Sequence, residues 1–536
     1  MTDTTLFQEF DEVKNSRRLF DSIWEDVLSL VRINTKSFLA AKTSGEDKAK
    51  DLYDATAVRA AEQLASGLHS YLTSPSERWF GLGLIGRDQL EYTEAELRWL
   101  ELAADTIFEA YSYEQSGFNA SLHECYLDLA CFGTCILYQS MNQGLLSFKS
   151  FPVADCWFRE NSMGLIDTVW RQQLMTGRQV RQEFKDIPPA LSKSLEESDE
   201  NRVFTIIHCV RPRTDEVVEV KKPFASVWLC EDTKEQIGDV GGYDSMPYHV
   251  GRWIKLAGET YGRGPAMTCL PDIKVLNEME RLMLKAGNKA IDPPLIVPDE
   301  GYMLPLKTSP ASLIYRETDA PDIVPLEHRG NLPFGLEQAD RKRLQIQQAF
   351  YADWLRMEKQ NKEMTAYEVE DRRMEKLQLM APMLGRIQSE LLGGLIKRTY
   401  QLLVGAGLMP RAPITMSGAQ ATVTYISPAA RAQLAIKAND MSRFVQETAI
   451  LAQIDPTVLD VFDLDQLVTK MAEYRGISRT FIRTNEARVR IREERAAQQA
   501  MQQAMEVSEP LTRSVKNLAD ARKAGIDTGA LGAFSA

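Results

Sequence analysis

The stretch that decides the fold is LPDIKVLNEMERLMLKAGNKAIDPP, residues 270–294. Pro271 can open a helix, because its missing N–H is one that the first turn leaves unpaired anyway. Small or apolar residues then recur every three or four positions: Ile273, Leu276, Met279, Met283, Gly287 and Ala290. Charged residues form the opposite stripe: Lys274, Glu278, Arg281, Lys285 and Lys289. The pattern predicts a helical rod of roughly 30 Å that ends before Pro293.

Two more helices are predicted on the far side of a proline-dense, strand-like region. The second helix should cover residues 334–355, and its outer face carries a basic and amide-rich run. After a polar linker at 356–363, Thr365 and Glu368 form a capping-box pattern that opens the third helix. Pro382 should kink this third helix, which should end by Gly405 or Gly407.

The rest of the chain divides into a helical first third, a strand-rich insert and a helical tail. Helices are expected at residues 10–29, 55–71, 93–111 and 118–138, the third with a capping box between Thr93 and Glu96. Short runs of Val, Ile, Trp and Phe between turn residues predict strands from about 145 to 261. Residues 486–505 form a helix pattern with few large apolar residues, so that helix should pack on copies of itself or stand in solvent.

Composition excludes several classes of protein. The chain has 536 residues, 44% of them hydrophobic, and a formal charge of −12, which is ordinary for a globular protein but unusual for one that coats nucleic acid. We expect no secretory signal, because the first thirty residues are densely charged. We expect no membrane span, because the longest uncharged stretch, residues 129–148, contains several polar residues. Seven cysteines at irregular spacing predict free thiols in a reducing compartment.

No pattern predicts a catalytic site, a metal or a cofactor. Gly81, Gly83 and Gly86 spell G-x-G-x-x-G, but no apolar strand precedes them, so a glycine-rich strand or turn is favoured over a nucleotide loop. Cys131 and Cys135 have apolar neighbours, which favours a buried helix face over a zinc site.

Basic residues on and after the second helix are the best candidates for contact with nucleic acid, although these residues alone favour a solvated helix face. These residues are Arg341, Lys342, Arg343, Arg356, Lys359 and Lys362. The stripe from Lys274 to Lys289 is a candidate either for contact between copies of the chain or for the same nucleic acid.

Several motifs in fixed order resemble the head-to-tail connector (portal) proteins of short-tailed bacteriophages. They are ETYGRGP at 259–265, LPDIKVLN at 270–277, AIDPP at 290–294, NLPFG at 331–335, MTAYEV at 364–369 and LGRIQSELL at 384–392. The resemblance extends over about residues 1–505, is most specific in these central motifs and is looser in the N-terminal third.

The resemblance implies a mainly α fold with α+β portions, assembled into a ring of typically twelve subunits. The implied parts are a wing (1–264), a first stem helix (265–291), a clip (292–333), a second stem helix (334–355), a tunnel loop (356–364), a wing return with a long kinked helix (365–465), and a crown with the C-terminal tail (466–536). The six basic residues above would then be candidates for the wall of a DNA channel.

The implied function is structural and non-enzymatic. The ring would lie at one capsid vertex in the virion, after assembly in the host cytoplasm, and double-stranded DNA would pass through it during packaging and ejection. Implied partners are the terminase motor, tail adaptor proteins, and the major capsid and scaffolding proteins. Two other functions remain open at this stage: a nucleotide-dependent DNA-processing enzyme, and a helical scaffold or adaptor without a channel.

Overall fold

The computed structural model describes most of the chain. The described residues are 3–33, 37–39, 49–84, 92–196, 201–213, 222–297, 302, 313–316, 319, 321–326, 332–352, 380–416, 421–426, 428–452, 462–475, 483 and 487–500. The fold mixes helices with antiparallel sheets, which confirms an α+β class.

Helices dominate the N-terminal part. The elements are α1 (Asp3–Leu30), α2 (Thr56–Leu72), β1 (Phe80–Leu84), α3 (Glu94–Ser112) and α4 (Phe118–Phe132). The capping box that opens α3 is present: the Thr93 N–H donates to the Glu96 carboxylate at 2.9 Å, and the Glu96 N–H donates to the Thr93 hydroxyl at 3.4 Å.

The predicted helix over 118–138 is wrong in its last six residues, 133–138. It stops at Phe132 because Gly133 takes a left-handed conformation, with φ of 72°, and caps it. The chain then turns into a strand.

The described part of the predicted strand-rich insert contains seven strands and two short helices, and one further strand, β2, precedes it. The elements are β2 (Thr134–Asn142), β3 (Leu145–Ser150), β4 (Cys156–Glu160), β5 (Ile166–Thr176), α5 (Gly177–Glu183), α6 (Pro189–Glu196), β6 (Val203–Pro212), β7 (Phe224–Cys230), β8 (Glu235–Tyr243) and β9 (Tyr248–Arg252). Strands β4 to β8 form a five-stranded antiparallel sheet in chain order, and β3-β2-β9 form a second sheet.

Both faces of the five-stranded sheet are covered. On one face α1 packs Phe7 and Phe10 against Trp157 and Trp170. On the other face α5 and α6 supply a cluster around Phe204. Side chains alternate between the two faces of a strand, and each face of this sheet therefore has its own apolar core.

The central motifs fold into an antiparallel helix pair. The elements are α7 (Pro265–Thr268), α8 (Leu270–Ile291), β10 (Leu295–Ile296), β11 (Val324–Pro325) and α9 (Leu332–Ala349), with β10 paired to β11. Helix α9 ends six residues before the predicted Leu355, because the chain turns after Ala349 and Tyr351 takes a φ of 58°. The predicted linker at 356–363 and the capping box at Thr365 lie outside the described residues.

The helix that contains Pro382 is interrupted. Its described part comprises α10 (Ala381–Ile387), a π-helical turn (Gln388–Leu392) and α11 (Gly393–Gly405). Pro382 lies in the first turn of α10. The remaining elements are β12 (Ala421–Tyr425), α12 (Pro428–Ala452), α13 (Leu464–Tyr474) and α14 (487–500), and β12 pairs with β1.

The chain divides into two compact units. The first comprises Met1–Gly81, Ala103–Pro410 and Val423–Ile436, and the second comprises Leu82–Leu102, Arg411–Thr422 and Lys437–Ala536. Within the second unit, Asp465 of α13 pairs with Arg492 of α14 at 2.7 Å and with Arg488 at 3.5 Å. These arginines, one helical turn apart, hold α14 on α13.

Candidate functional site

All of the described basic candidates lie on the helix pair α8–α9. Helix α9 runs back along α8, since Gly335 lies by Met283 and Lys342 pairs with Asp272. The apolar stripe predicted on α8 is buried only near its start, at Ile273 and Leu276. Several apolar side chains of the pair are about half exposed or more: Val275, Leu282, Leu284, Ile291, Phe334, Leu336 and Leu344.

The charged stripe of α8 is exposed except at Arg281, whose side chain is 33% exposed. Lys274 pairs with Asp26 of α1 at 2.6 Å, and Arg281 donates two hydrogen bonds to Glu278 of its own helix. The side chains of Lys285 and Lys289 are exposed. Among the described residues, Lys274 is therefore the only member of the stripe that joins α8 to another element by an ion pair.

The three described candidates on α9 differ in environment. Arg341 is 64% exposed and pairs with Glu337 of its own helix at 2.6 Å. Lys342 reaches across to Asp272 of α8 at 2.7 Å. Arg356, Lys359 and Lys362 lie outside the described residues.

Arg343 forms ion pairs with three carboxylates at the helix pair. Its guanidinium pairs with Glu280 of α8, with Asp54 at 3.0 Å and with Asp340 at 2.7 Å. Asp54 and Glu280 are largely buried, so these ion pairs are partly desolvated and stronger than surface pairs. Arg343 thus binds both helices to the segment that precedes α2.

Asn277 makes a contact that sequence reasoning missed. Its side-chain carbonyl accepts from the Tyr53 N–H at 2.7 Å, and its amide donates to the Asp51 carbonyl at 2.8 Å. The partners lie more than 220 positions away in the sequence, so the residues around Asn277 gave no signal for this contact. Together with Arg343, Asn277 fixes residues 51–54 on the base of α8.

The motif ETYGRGP is a packing element. Gly262 and Gly264 lie against the backbone of Gly133 so closely that a Cβ on either would come within 2.8 Å of it. Between them, Arg263 donates two hydrogen bonds to Glu259 at 2.9 and 2.6 Å. This close approach of two backbones positions α7 and α8 on α4.

A sequence profile of the bacteriophage head to tail connecting protein family matches residues 3–482. The chain belongs to this family. A portal protein of Salmonella phage epsilon15 is 27% identical over an alignment of 536 positions, which covers 96% of this chain and 95% of the relative. A probable portal protein of Bordetella phage BPP-1 is 29% identical over 516 residues, 93% of this chain and 92% of the relative.

A solved structure of the virion of a native gene transfer agent particle contains a chain that matches this connector protein weakly. The TM-score is 0.38 with 10% sequence identity, over 73% of this chain and 86% of that one. A likeness at that level carries no argument about fold or function.

The structure also bears on several other expectations from the sequence. Gly81 and Gly83 lie in strand β1, as expected from the sequence, and Gly86 lies outside the described residues. All seven cysteines are buried free thiols, which confirms the expectation. Among the described residues, no group of three or more His, Cys, Asp or Glu side chains could hold a metal ion, and no helix is long and apolar enough to cross a membrane.

Proposed function

We propose that copies of this chain close into a ring at one capsid vertex, the portal through which double-stranded DNA is packaged and ejected. The supporting observation is the α8–α9 pair, whose base is fixed by Arg343 and Asn277 while its apolar side chains remain exposed. A helix pair with exposed apolar residues gains stability when neighbouring copies cover them. A head-to-tail interface whose rotation closes produces a ring, and twelve is the expected number of copies.

The proposed parts of the subunit follow the family resemblance. The stem is residues 265–291 and 334–355, which contain α8 and most of α9. The clip is residues 292–333, which contain the paired strands β10 and β11, and 356–364 is the tunnel loop. Residues 1–264 and 365–465 form the wing, and 466–536 form the crown with the C-terminal tail.

The charges of the stem suit a channel through which DNA must slide. Each phosphate that a protein neutralises adds affinity through release of counterions, so a strongly basic bore would trap DNA. Arg341, Lys285 and Lys289 offer a few exposed cations in a chain of net charge −12. Lys342 and Arg343 have a different proposed role, because their cations already bind Asp272, Asp54 and Glu280 within the chain.

The proposed partners are those of a portal in the virion and during assembly. The terminase motor docks on the clip while DNA enters, and tail adaptor proteins replace it afterwards. The major capsid and scaffolding proteins surround the ring as the head assembles in the host cytoplasm. The chain itself performs no catalytic step, so the purified ring should not hydrolyse ATP without the motor.

The test of the channel is a reversal of charge in the tunnel loop. The variant carries Arg356→Glu, Lys359→Glu and Lys362→Glu, and the matched control carries Arg178→Glu, Lys185→Glu and Lys222→Glu on exposed wing positions. Both sets change the formal charge equally. We expect normal rings from both, but less DNA per particle from the loop variant alone. If the loop variant forms far fewer rings, and the rings that do form package DNA normally, the loop does not face the bore.

A further inference from the structure

Two histidine side chains lie next to each other on helices that pack together. His69 is in the last turn of α2, His123 is in the second turn of α4, and α2 packs against α4. The centres of the two imidazole rings are 6.1 Å apart, and the ring planes are inclined at 72°. Both residues are half-buried, so small solutes can reach the rings from solvent.

The Thr73 hydroxyl, directly after α2, decides which ring nitrogen of His69 is free. It lies 3.3 Å from His69 Nδ1, 3.5 Å from the His69 backbone carbonyl and 3.0 Å from the hydroxyl of the buried Tyr126. All of these groups are satisfied when Thr73 donates to the carbonyl and accepts from Tyr126 and from the Nδ1–H of His69. His69 Nε2 then keeps an unshared lone pair, to which no described residue donates.

His123 is the less constrained of the two rings. It makes no side-chain hydrogen bond within the described part of the chain, and its ring contact is with His69. Burial lowers the pKa of His69, and the neighbouring His123 lowers it further. The neutral imidazole is therefore the dominant form of His69 at neutral pH, and the neutral form is the one that binds metal ions.

The separation of the two rings is close to that of two ligands on one metal ion. Zinc binds imidazole nitrogen at about 2.0–2.1 Å, so two imidazoles on one ion have ring centres about 5–6 Å apart. A small turn of the His123 ring brings the observed 6.1 Å into this range. A histidine ligand usually donates its other ring N–H to a neighbouring group that fixes its orientation, and Thr73 takes this role for His69.

We propose that His69 and His123 bind one divalent transition-metal ion, such as Zn²⁺, which joins α2 to α4. Imidazole suits Zn²⁺, Ni²⁺ and Cu²⁺, whereas Mg²⁺ and Ca²⁺ prefer oxygen ligands. Water completes the coordination, because among the described residues no third His, Cys, Asp or Glu side chain joins the pair. The inference does not depend on ring formation or on the proposed DNA channel.

The test is isothermal titration calorimetry of the full-length chain with zinc chloride, after treatment with a chelator and its removal. We expect saturable binding of one zinc ion per chain and no binding of magnesium. The folded chain is titrated because its seven cysteines are buried, whereas in an unfolded chain they would bind zinc themselves. His69→Asn and His123→Asn should each weaken zinc binding by at least about ten-fold, and Thr73→Val by about ten-fold, the usual cost of losing a group that orients a ligand.

The matched control is His328→Asn, which removes a histidine outside the pair and outside the described residues. It should bind zinc like the wild type. A second measurement needs no variant: the electron paramagnetic resonance spectrum of Cu²⁺ bound to the wild type should show coupling to two imidazole nitrogens. The proposal is overturned by the absence of saturable zinc binding, by unchanged affinity in His123→Asn, by loss of binding in His328→Asn, or by a Cu²⁺ spectrum without imidazole nitrogen.

Discussion

Arg252 donates to both carboxylate oxygens of Glu390, from Nε and from Nη2, each at 2.9 Å. Arg252 lies at the end of β9, and Glu390 lies in the π-helical turn between α10 and α11. The same turn is held by the Tyr425 hydroxyl, which donates to the Gln388 carbonyl at 2.6 Å. Burial lowers the pKa of Arg252, but the bonds to Glu390 and Glu160 raise it by more, so its pKa is raised overall.

Glu390→Gln should destabilise the protein by about 3 kcal/mol, the lower end for breaking a buried ion pair, since Glu160 still faces Arg252. The measurement is the urea or thermal unfolding midpoint. Glu259→Gln, which breaks the more exposed pair with Arg263, should change stability by less than about 1 kcal/mol. Equal effects of the two variants would mean that Arg252 does not depend on Glu390.

Arg343→Gln should loosen the helix pair, because it removes the cation that Asp54, Asp340 and Glu280 share. We expect a loss of about 2 kcal/mol, the range for charged hydrogen bonds, and faster amide hydrogen exchange in α9. Arg341→Gln, two positions away and paired only within its helix, should stay within about 0.5 kcal/mol. Unchanged exchange in α9 would contradict the role given to Arg343.

Gly133→Ala should destabilise the protein by at least about 3 kcal/mol, through backbone strain at φ of 72° and a steric clash. The added Cβ would lie 2.3 Å from backbone atoms of Arg263 and Gly264, which cannot rotate away. Gly385→Ala in α10 is the matched control, since its Cβ meets nothing within 4 Å and Ala favours a helix by about 0.5–1 kcal/mol. The soluble yield and the unfolding midpoint of the two variants test this prediction.

His208 and His249 should make the protein less stable as the pH falls from about 6.5 towards 3. Burial lowers both pKa values from 6.5 to about 3, so in this range the unfolded chain binds more protons than the folded one, and stability decreases with acidification. Asp128 has the opposite effect on stability. Burial raises its pKa to about 6, so the folded chain binds its proton more readily than the unfolded chain, and this contribution to stability increases with acidification. His249→Gln should therefore reduce the slope of unfolding midpoint against pH in this window, and an unchanged slope would contradict the assignment.

Local signals in the sequence predicted much of the secondary structure. Pro271 and the apolar stripe predicted α8, and Thr93 with Glu96 predicted the cap of α3. The end of α4 was missed although Gly133 offered a local signal, since a glycine in the left-handed conformation commonly ends a helix. The roles of Asn277 and Arg343 could not be predicted, since their partners at 51–54 are more than 220 residues distant in sequence.

The central claim is that this chain assembles into a ring with a channel. Negative-stain electron microscopy of the purified full-length protein tests it most directly. The account predicts round particles with a central hole, built from about a dozen copies. Rods or compact monomers at concentrations where the protein is soluble and folded would contradict it.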